Sequence, residues 1–167
     1  MRFEISHDFD APLDTVELAV LSPRLGETLG TALAQTKIES VCTIEHDLKD
    51  GTLRRVLQFQ ASAPFSFLKS YAIPKDAMSW QERTTYSLVE HTSTWSVHPK
   101  EQYSRYFRSQ GTYKLTELPD GRTRRTVVGE LMVNVPVFGP IIERAALAEV
   151  RRTYDAEAHT LKQLTTL

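Results

Sequence analysis

The chain has 167 residues, of which 41% are hydrophobic and 25% are charged, and its formal net charge is −1. This composition is typical of one globular domain with a substantial core, and such a charge provides no overall field for attracting nucleic acid or anionic membranes. The single cysteine, Cys42, excludes an internal disulfide. No apolar run approaches the roughly 20 residues of a membrane helix, and charges stand where a signal peptide is apolar, so we expect a single-domain cytoplasmic protein.

The first part of the chain predicts one strand and two short helices. Residues 2–9 alternate between apolar and polar side chains, which is typical of a half-buried strand. A helix follows over 12–21, and Ser22-Pro23 is a suitable cap and first position for a second helix that runs to Ala34. The predicted inward positions of the first helix are Leu13, Val16, Leu18 and Val20.

From residue 37 the apolar period changes to two, which predicts six further strands joined in an antiparallel meander. Turn signals at 49–51 and 119–121 mark two of the connections. In the first of these strands the alternation places Cys42 on the core side, as a small apolar residue. The predicted core-facing residues of the first two strands of the meander are Ile38, Cys42, Ile44, Leu48, Leu53, Leu57, Phe59 and Ala61.

A long helix is predicted from Pro140 to the end of the chain. One stripe of apolar or small residues recurs every three to four positions, which indicates a single buried face that needs a surface to pack on. The element order therefore predicts an α+β fold, in which a curved antiparallel sheet of about seven strands wraps around the C-terminal helix and two short helices follow the first strand. The stripe consists of Ile142, Ala146, Val150, Tyr154, Ala158 and Leu161.

Two segments resemble the START-like superfamily, also called the helix-grip or SRPBCC fold. Residues 9–16, Phe-Asp-Ala-Pro-Leu-Asp-Thr-Val, are similar to its first strand and helix, and residues 129–143 resemble the strand-to-helix junction of uncharacterised bacterial members. The junction is also similar to that of PRELI-type lipid carriers, where Glu143 matches an acidic residue near the start of the long helix. The resemblance implies a cavity between sheet and helix that holds a hydrophobic or amphipathic small molecule, but members include carriers, cyclases and co-chaperones.

Polar residues at inward positions of the predicted strands are candidate ligand contacts. Arg55, Glu82 and Arg105 stand out because an inward charge is costly unless it is paired. An inward arginine could bind a ligand carboxylate or phosphate through two hydrogen bonds; alternatively, the three side chains lie near strand ends and pair with one another or reach water. The two tryptophans could wall a cavity or fill the core. The predicted ligand site comprises Arg55, Phe59, Trp80, Glu82, Tyr86, Trp95, Arg105, Phe107, Leu131, Ile142, Ala146 and Val150.

The connection at 64–74 is unusually apolar for a loop. It could cover the mouth of the cavity as a lid, or contact a membrane or a partner, and the alternative is a short helix packed under the sheet edge. Val137-Phe138 forms a second apolar tip. The predicted lid or membrane contacts are Phe65, Phe67, Leu68, Tyr71 and Ile73.

The sequence contains no recognised metal, phosphate-binding or nucleophile motif. The five histidines lie in separate elements, and Cys42 and His46 are roughly 13 Å apart along a strand, too far to act as a pair. The cluster at 122–125 is expected to lie on a solvated sheet face, with anionic lipid headgroups as a second option. We therefore expect no cofactor, no metal and no nucleic-acid partner.

Three functional hypotheses remain open. The leading one is non-enzymatic binding or carriage of a hydrophobic or amphipathic small molecule, with lipids among the candidates. The second is a cyclase- or hydrolase-type enzyme in which Glu82 or His46 acts as acid or base. The third is an interaction module whose cavity has collapsed and whose 64–74 loop binds a partner. Small residues on the helix face, such as Ala146, favour a cavity opposite the large aromatic residues of the sheet.

Overall fold

The computed structural model describes residues 1–34, 36–62, 75–136 and 139–166. The predicted α+β fold is confirmed, with seven strands, two short helices after the first strand and a long C-terminal helix. The predicted contacts Phe65, Phe67, Leu68, Tyr71 and Ile73 and the tip Val137-Phe138 lie outside the described residues. The elements are β1 (Arg2–Phe9), α1 (Leu13–Val20), α2 (Leu25–Leu33), β2 (Ile38–Lys49), β3 (Thr52–Ala61), β4 (Ser79–Ser87), β5 (Thr92–Pro99), β6 (Phe107–Glu117), β7 (Thr123–Val133) and α3 (Gly139–Thr165).

All seven strands form one antiparallel sheet in the order β1-β7-β6-β5-β4-β3-β2. Strands β2 to β7 follow one another as a meander, whereas β1 pairs with the last strand, β7. The chain therefore passes from one edge of the sheet to the other between β1 and β2, and α1 and α2 form this crossing. Asp50 and Gly51 take positive φ in the β2–β3 turn, as the turn signal at 49–51 predicts.

Helix α3 lies along the concave face and approaches β1, β7, α1 and α2 most closely. Its C-terminal half is the more deeply buried part, and Tyr154, Ala158 and Leu161 belong to the main core. Residues Ala146 and Val150 of its N-terminal half are only half-buried and pack at the margin of that core. The C-terminal half of the helix is therefore tightly packed against the sheet, whereas its N-terminal half is packed less closely.

Strand β2 departs from the predicted alternation. Cys42, Ile44 and Leu48 are exposed, so the prediction that Cys42 is a core residue is wrong. The pairing of β2 with β3 shifts register twice, between Ile38 and Ser40 and again between Thr43 and Glu45. Such bulges change which side chains face inward, and β2 is also an edge strand, with a neighbouring strand on one side only.

The inward face of α1 also differs from the prediction. Leu18 is 70% exposed, whereas Glu17 beside it is buried together with Val16, Ala19 and Val20. The carboxylate of Glu17 has hydrogen-bonding partners inside the fold, described below, and these make its burial tolerable.

Candidate functional site

The concave face of the sheet has a closed end and an open end. At the closed end, where α1 and the C-terminal half of α3 cover the strands, Leu53, Tyr86, Tyr113 and Leu115 are buried. At the other end several inward side chains remain half-buried, although they lie on inner strands of the sheet. This open end comprises Trp80 and Glu82 on β4, Val97 on β5, Phe107 on β6 and Val133 on β7. It faces the N-terminal half of α3, and we take this region between the sheet and the helix as the candidate site.

Trp95 lies at the boundary between the two ends. Its ring packs 6.1 Å from that of Phe3 and 6.2 Å from that of Tyr154. Gly111 and Gly129 pair directly across β6 and β7, and a Cβ atom on either would come within 2.7 Å of the indole. The two glycines thus make room for the ring. Trp95 is buried in the core, and its indole N–H makes no hydrogen bond to the described residues.

Phe59 and Trp80 form a stacked pair on neighbouring strands. Their ring centroids are 5.5 Å apart and the planes are nearly parallel, at 5°. Phe59 is buried against α2 and β2, whereas Trp80 is half-buried. Trp80 is therefore the tryptophan with surface left for a ligand, and Phe59 supports it from behind.

Glu82 is the acidic group of the open end. It lies in the middle of β4 with Leu57 and Val97 as its cross-strand neighbours, and neither carboxylate oxygen bonds to a described residue. Burial, which has the largest effect, and the nearby Glu157 carboxylate raise the pKa of Glu82, Arg55 partly opposes them, and the net result is a pKa of about 7. A carboxyl group of this kind exchanges its proton near neutral pH, which suits hydrogen bonding or acid–base chemistry.

Arg55 faces inward from the middle of β3 and is 6% exposed. One guanidinium nitrogen donates to the carbonyl oxygen of Val20, 2.7 Å away at the end of α1, while Nε makes no hydrogen bond to the described residues. Within the described part of the chain no carboxylate lies within 4 Å of it. The expectation that an arginine here would reach water at a strand end therefore does not hold for Arg55.

Arg105 does not face inward, contrary to the alternation predicted for its strand. Strand β6 begins only at Phe107, and Arg105 lies in the preceding turn, where it is exposed. Its guanidinium stacks on the ring of Tyr106, 4.6 Å from the centroid, and also bonds to the Tyr106 hydroxyl. A contact between Arg105 and a ligand inside the fold is therefore not supported.

Tyr86 is placed on the inward face as predicted but lies at the closed end. It is fully buried, and its hydroxyl donates to Glu17, 2.7 Å away. The same Glu17 oxygen lies 2.7 Å from Nδ1 of His91, in the β4–β5 turn. Burial and the Glu17 carboxylate raise the pKa of Tyr86 well above the usual range of tyrosine. This cluster fastens α1 to the sheet and leaves Tyr86 no free polar group for a ligand.

The structure places a second buried arginine, Arg125, where the sequence predicted a solvated face. Arg125 is fully buried at the closed end and lies 3.3 Å from the Glu157 carboxylate of α3. It also bonds to the Tyr154 carbonyl at 2.9 Å and to Nδ1 of His7 at 3.0 Å. The alternation that puts Val127 and Leu131 inward also puts Arg125 inward, so the signal was present in β7 and was overlooked because the neighbouring arginines suggested an exposed cluster.

Among the remaining predicted site residues, Leu131 is fully buried in the core. The others are half-buried and border the open end, and they are Phe107, Ile142, Ala146 and Val150.

His46, the alternative acid or base, is half-buried on the edge strand β2, and burial and Arg55 lower its pKa.

A separate groove of about 520 Å³ runs between α2 and α3 on the outside of the molecule. Most of its lining residues have polar or charged side chains, among them Glu27, Thr31 and His159, and none of these belongs to the candidate site. Within the described ranges, no three His, Cys, Asp or Glu side chains are grouped so that they could hold a metal ion. None of the described helices combines the length and apolar character needed to cross a membrane.

Comparison with known proteins identifies the fold and a family. Residues 4–164 match the family described as Protein of unknown function (DUF2505). Comparison with curated protein sequences finds no relative. Similar solved structures include TTHA0849 from Thermus thermophilus, with a TM-score of 0.66, 15% identity, and coverage of 99% of this chain and 97% of that one.

Two further solved structures carry informative names. The Zhui aromatase/cyclase from Streptomyces sp. R1128 has a TM-score of 0.65 and 14% identity over 99% of this chain and 93% of that one. A START superfamily protein from Mycobacterium smegmatis has a TM-score of 0.60 and 15% identity over 98% of each chain. At such identities the likeness shows the fold alone, and it confirms that this fold is START-like.

Proposed function

This chain belongs to the family described as Protein of unknown function (DUF2505) and has a START-like fold, and from that premise we propose that it binds a hydrophobic or amphipathic small molecule at the open end, beneath α3. The site lies between the inward residues of β4 to β7 and the N-terminal half of the helix. Binding without chemical conversion of the ligand is the activity that this geometry supports best.

The environment of Glu82 is the observation that carries the proposal. Burial is the largest of the effects that together raise the pKa of this side chain to about 7, yet the side chain is only half-buried. A raised pKa and partial exposure are compatible if the exposed part of the Glu82 side chain faces an interior space rather than bulk solvent. Val97, its neighbour on β5, is also half-buried although apolar residues at the centre of a sheet are usually covered.

The chemistry of the walls supports a largely apolar ligand. Trp80, Val97, Phe107 and Val133 offer apolar surface from four different strands, and α3 places the small side chain of Ala146 opposite. Binding sites for small molecules combine such surfaces with a few polar groups. Here Arg55 and Glu82 are the polar groups. A lipid is one molecule of this kind, and native mass spectrometry after mild purification would identify the ligand.

Filling the space with a larger side chain tests the proposal directly. We expect Ala146→Phe to reduce binding of the uncharged dye N-phenyl-1-naphthylamine at least tenfold while the protein stays folded, because the new ring occupies the volume that the dye needs. Fluorescence titration measures the binding, and circular dichroism confirms the fold. Native mass spectrometry of the wild type should show a bound apolar molecule that the variant lacks.

Ala148→Phe is the matched control, because Ala148 lies on the exposed face of the same helix two residues away. We expect this variant to bind the dye like the wild type. Equal dye binding by both variants and the wild type would contradict the proposed site. Loss of folding in Ala146→Phe alone would show that the helix already packs tightly against the sheet and would favour a collapsed interior.

Acid–base catalysis on an amphipathic substrate is a second candidate function, favoured by the raised pKa of Glu82. An activity screen with amphipathic esters and polycarbonyl compounds would detect it. Turnover that persists unchanged in Glu82→Gln would remove the role of Glu82, whereas turnover that disappears while dye binding remains would support an enzyme.

A further inference from the structure

Four ionisable side chains from four elements lie around the interior: Arg55 on β3, Glu82 on β4, Arg125 on β7 and Glu157 on α3. Arg125 and Glu157 neutralise each other, with 3.3 Å between the charged groups. Arg55 and Glu82 have no ionic partner within 4 Å among the described residues. Arg55 and Glu82 are therefore an interior cation and an interior acid without an ionic partner among the described residues.

Arg55 and Glu82 are diagonal neighbours on the inward face. Arg55 is opposite Thr84 on β4, and Glu82 is two residues farther along the same face. Diagonal neighbours in antiparallel sheets are about 7–8 Å apart at the backbone, a span that long side chains and a small group between them can bridge. One ligand headgroup could therefore contact both residues.

The hydrogen-bonding capacity of the two residues selects the headgroup. Arg55 offers only N–H donors, and its Nε–H is not used by the described residues. Protonated Glu82 adds one O–H donor. A carboxylate accepts hydrogen bonds from both residues through two oxygens in one plane, and its single negative charge matches the one unpaired guanidinium.

The surroundings of Glu82 keep its proton in place when such a group binds. Glu157 of α3 raises its pKa and Arg55 of β3 lowers it, Tyr154 of α3 also faces it, and burial has the largest effect. Arg125 of β7 is occupied by Glu157. A ligand carboxylate adds another negative charge beside Glu82, which raises the pKa of Glu82 still further and favours its protonated form.

We propose that the ligand of this site is an amphipathic carboxylate whose headgroup lies between Arg55 and Glu82, with a proton kept on Glu82. This inference rests on the proposed function and assigns it a ligand class and a pH dependence. Above neutral pH the free protein loses the Glu82 proton, and binding must recover it. Affinity for the carboxylate therefore falls as pH rises, whereas affinity for an uncharged ligand changes little.

Three probes with the same ten-carbon chain separate the alternatives: decanoate, decanol and decylamine. Isothermal titration calorimetry with the full chain at pH 6 should show decanoate binding about tenfold or more tightly than decanol, because a charge-assisted hydrogen bond is gained. Between pH 6 and pH 8.5 the decanoate affinity should fall at least tenfold. Titration at pH 8.5 in buffers of different ionisation enthalpy should reveal uptake of about one proton.

Two substitutions assign the effects to their residues. Arg55→Met should remove the preference for decanoate over decanol, and Glu82→Gln should keep the preference but remove its pH dependence, because the amide donates without ionising. Arg54→Met is the matched control, since Arg54 is the exposed neighbour on the opposite face of β3. If Arg55→Met does not fold, the pH profile of Glu82→Gln still tests the proposal.

The outcomes separate this inference from the proposed function. Equal affinity for decanoate and decanol would overturn the carboxylate while leaving the binding of apolar molecules intact. Tightest binding of decylamine would also overturn it and assign a cationic ligand to Glu82. Failure of all three probes and of N-phenyl-1-naphthylamine to bind would overturn both proposals together.

Discussion

The closed end and the open end of the concave face differ in whether their buried charged groups have hydrogen-bonding or ionic partners. At the closed end Arg125 is in contact with Glu157, the Tyr154 carbonyl and His7, and Glu17 has Tyr86 and His91 as partners. Arg55, in register with Trp95 at the boundary, bonds to one backbone carbonyl, and Glu82 at the open end has no hydrogen-bonding partner among the described residues. We infer that the paired charges stabilise the fold, and our proposal assigns the unpaired ones to a ligand.

Helix α3 joins the two ends and shows the same difference along its length. Ala158 is packed in the core at 3% exposure, whereas Ala146, three turns earlier, is half-buried. Both are alanines in the same apolar stripe. The difference in burial arises from the residues opposite each alanine, because the C-terminal half of α3 packs against α1, Trp95 and Arg125.

The largest expected effect is at the closed end, from Arg125→Met. This substitution leaves the Glu157 carboxylate inside the fold without its partner, and we expect the free energy of unfolding to fall by about 3–5 kcal/mol. Urea denaturation measures it. Arg124→Met is the control, because Arg124 binds Asp8 on the exposed face of the sheet, and it should change stability little. Similar losses in both variants would contradict the distinction between the buried and exposed arginines.

A slightly smaller effect is expected at the boundary, from Gly111→Ala. The new Cβ atom would lie 2.2 Å from the carbonyl oxygen of Val128 and 2.7 Å from the Trp95 ring. Because backbone must move, we expect a loss of about 3 kcal/mol, measured by urea denaturation, together with altered tryptophan fluorescence.

Gly30→Ala is the matched substitution for Gly111→Ala. Gly30 lies inside helix α2, and the nearest atom to its added Cβ is 3.6 Å away, an ordinary contact. Alanine should stabilise this helix by up to about 1 kcal/mol. A loss at Gly30 as large as that at Gly111 would mean that glycine is needed for a reason other than the room for Trp95.

The smallest expected effect is at the open end, from Glu82→Gln, and it depends on pH. The pKa of Glu82 is raised from 4.5 to about 7 in the folded protein, so between these values the folded state binds more protons than the unfolded state. The contribution of Glu82 to wild-type stability should therefore fall as pH rises from 4.5 to 7 and level off above that.

Glu82→Gln lacks this part of the pH dependence. At pH 8 the variant should be more stable than the wild type by about 2 kcal/mol, after allowance for the partial exposure of the side chain, and near pH 4 the two should be alike. Urea denaturation at the two pH values measures the difference. A variant that is less stable at pH 8 would mean that the ionised carboxylate has a partner that stabilises the fold.

Local patterns in the sequence predicted much of the site as well as the order of the elements. The period of two in β3 and β4 placed Arg55, Trp80 and Glu82 inward, and the stripe of α3 placed Ala146 and Val150 opposite. The same reasoning failed for Arg105, because a turn before Phe107 delays the start of β6. It failed for Cys42, because bulges in β2 interrupt the alternation.

By itself the sequence determined which segments form strands and helices, because backbone periodicity and turn chemistry act over a few residues. Only the tertiary structure decided which charges are paired. Glu157 meets Arg125 across 32 positions of the chain, and Tyr86 meets Glu17 across 69, at distances set by strand register and by the packing of α1 and α3. Periodicity assigns a side chain to a face of an element, but the element packed against that face determines whether the charge is paired.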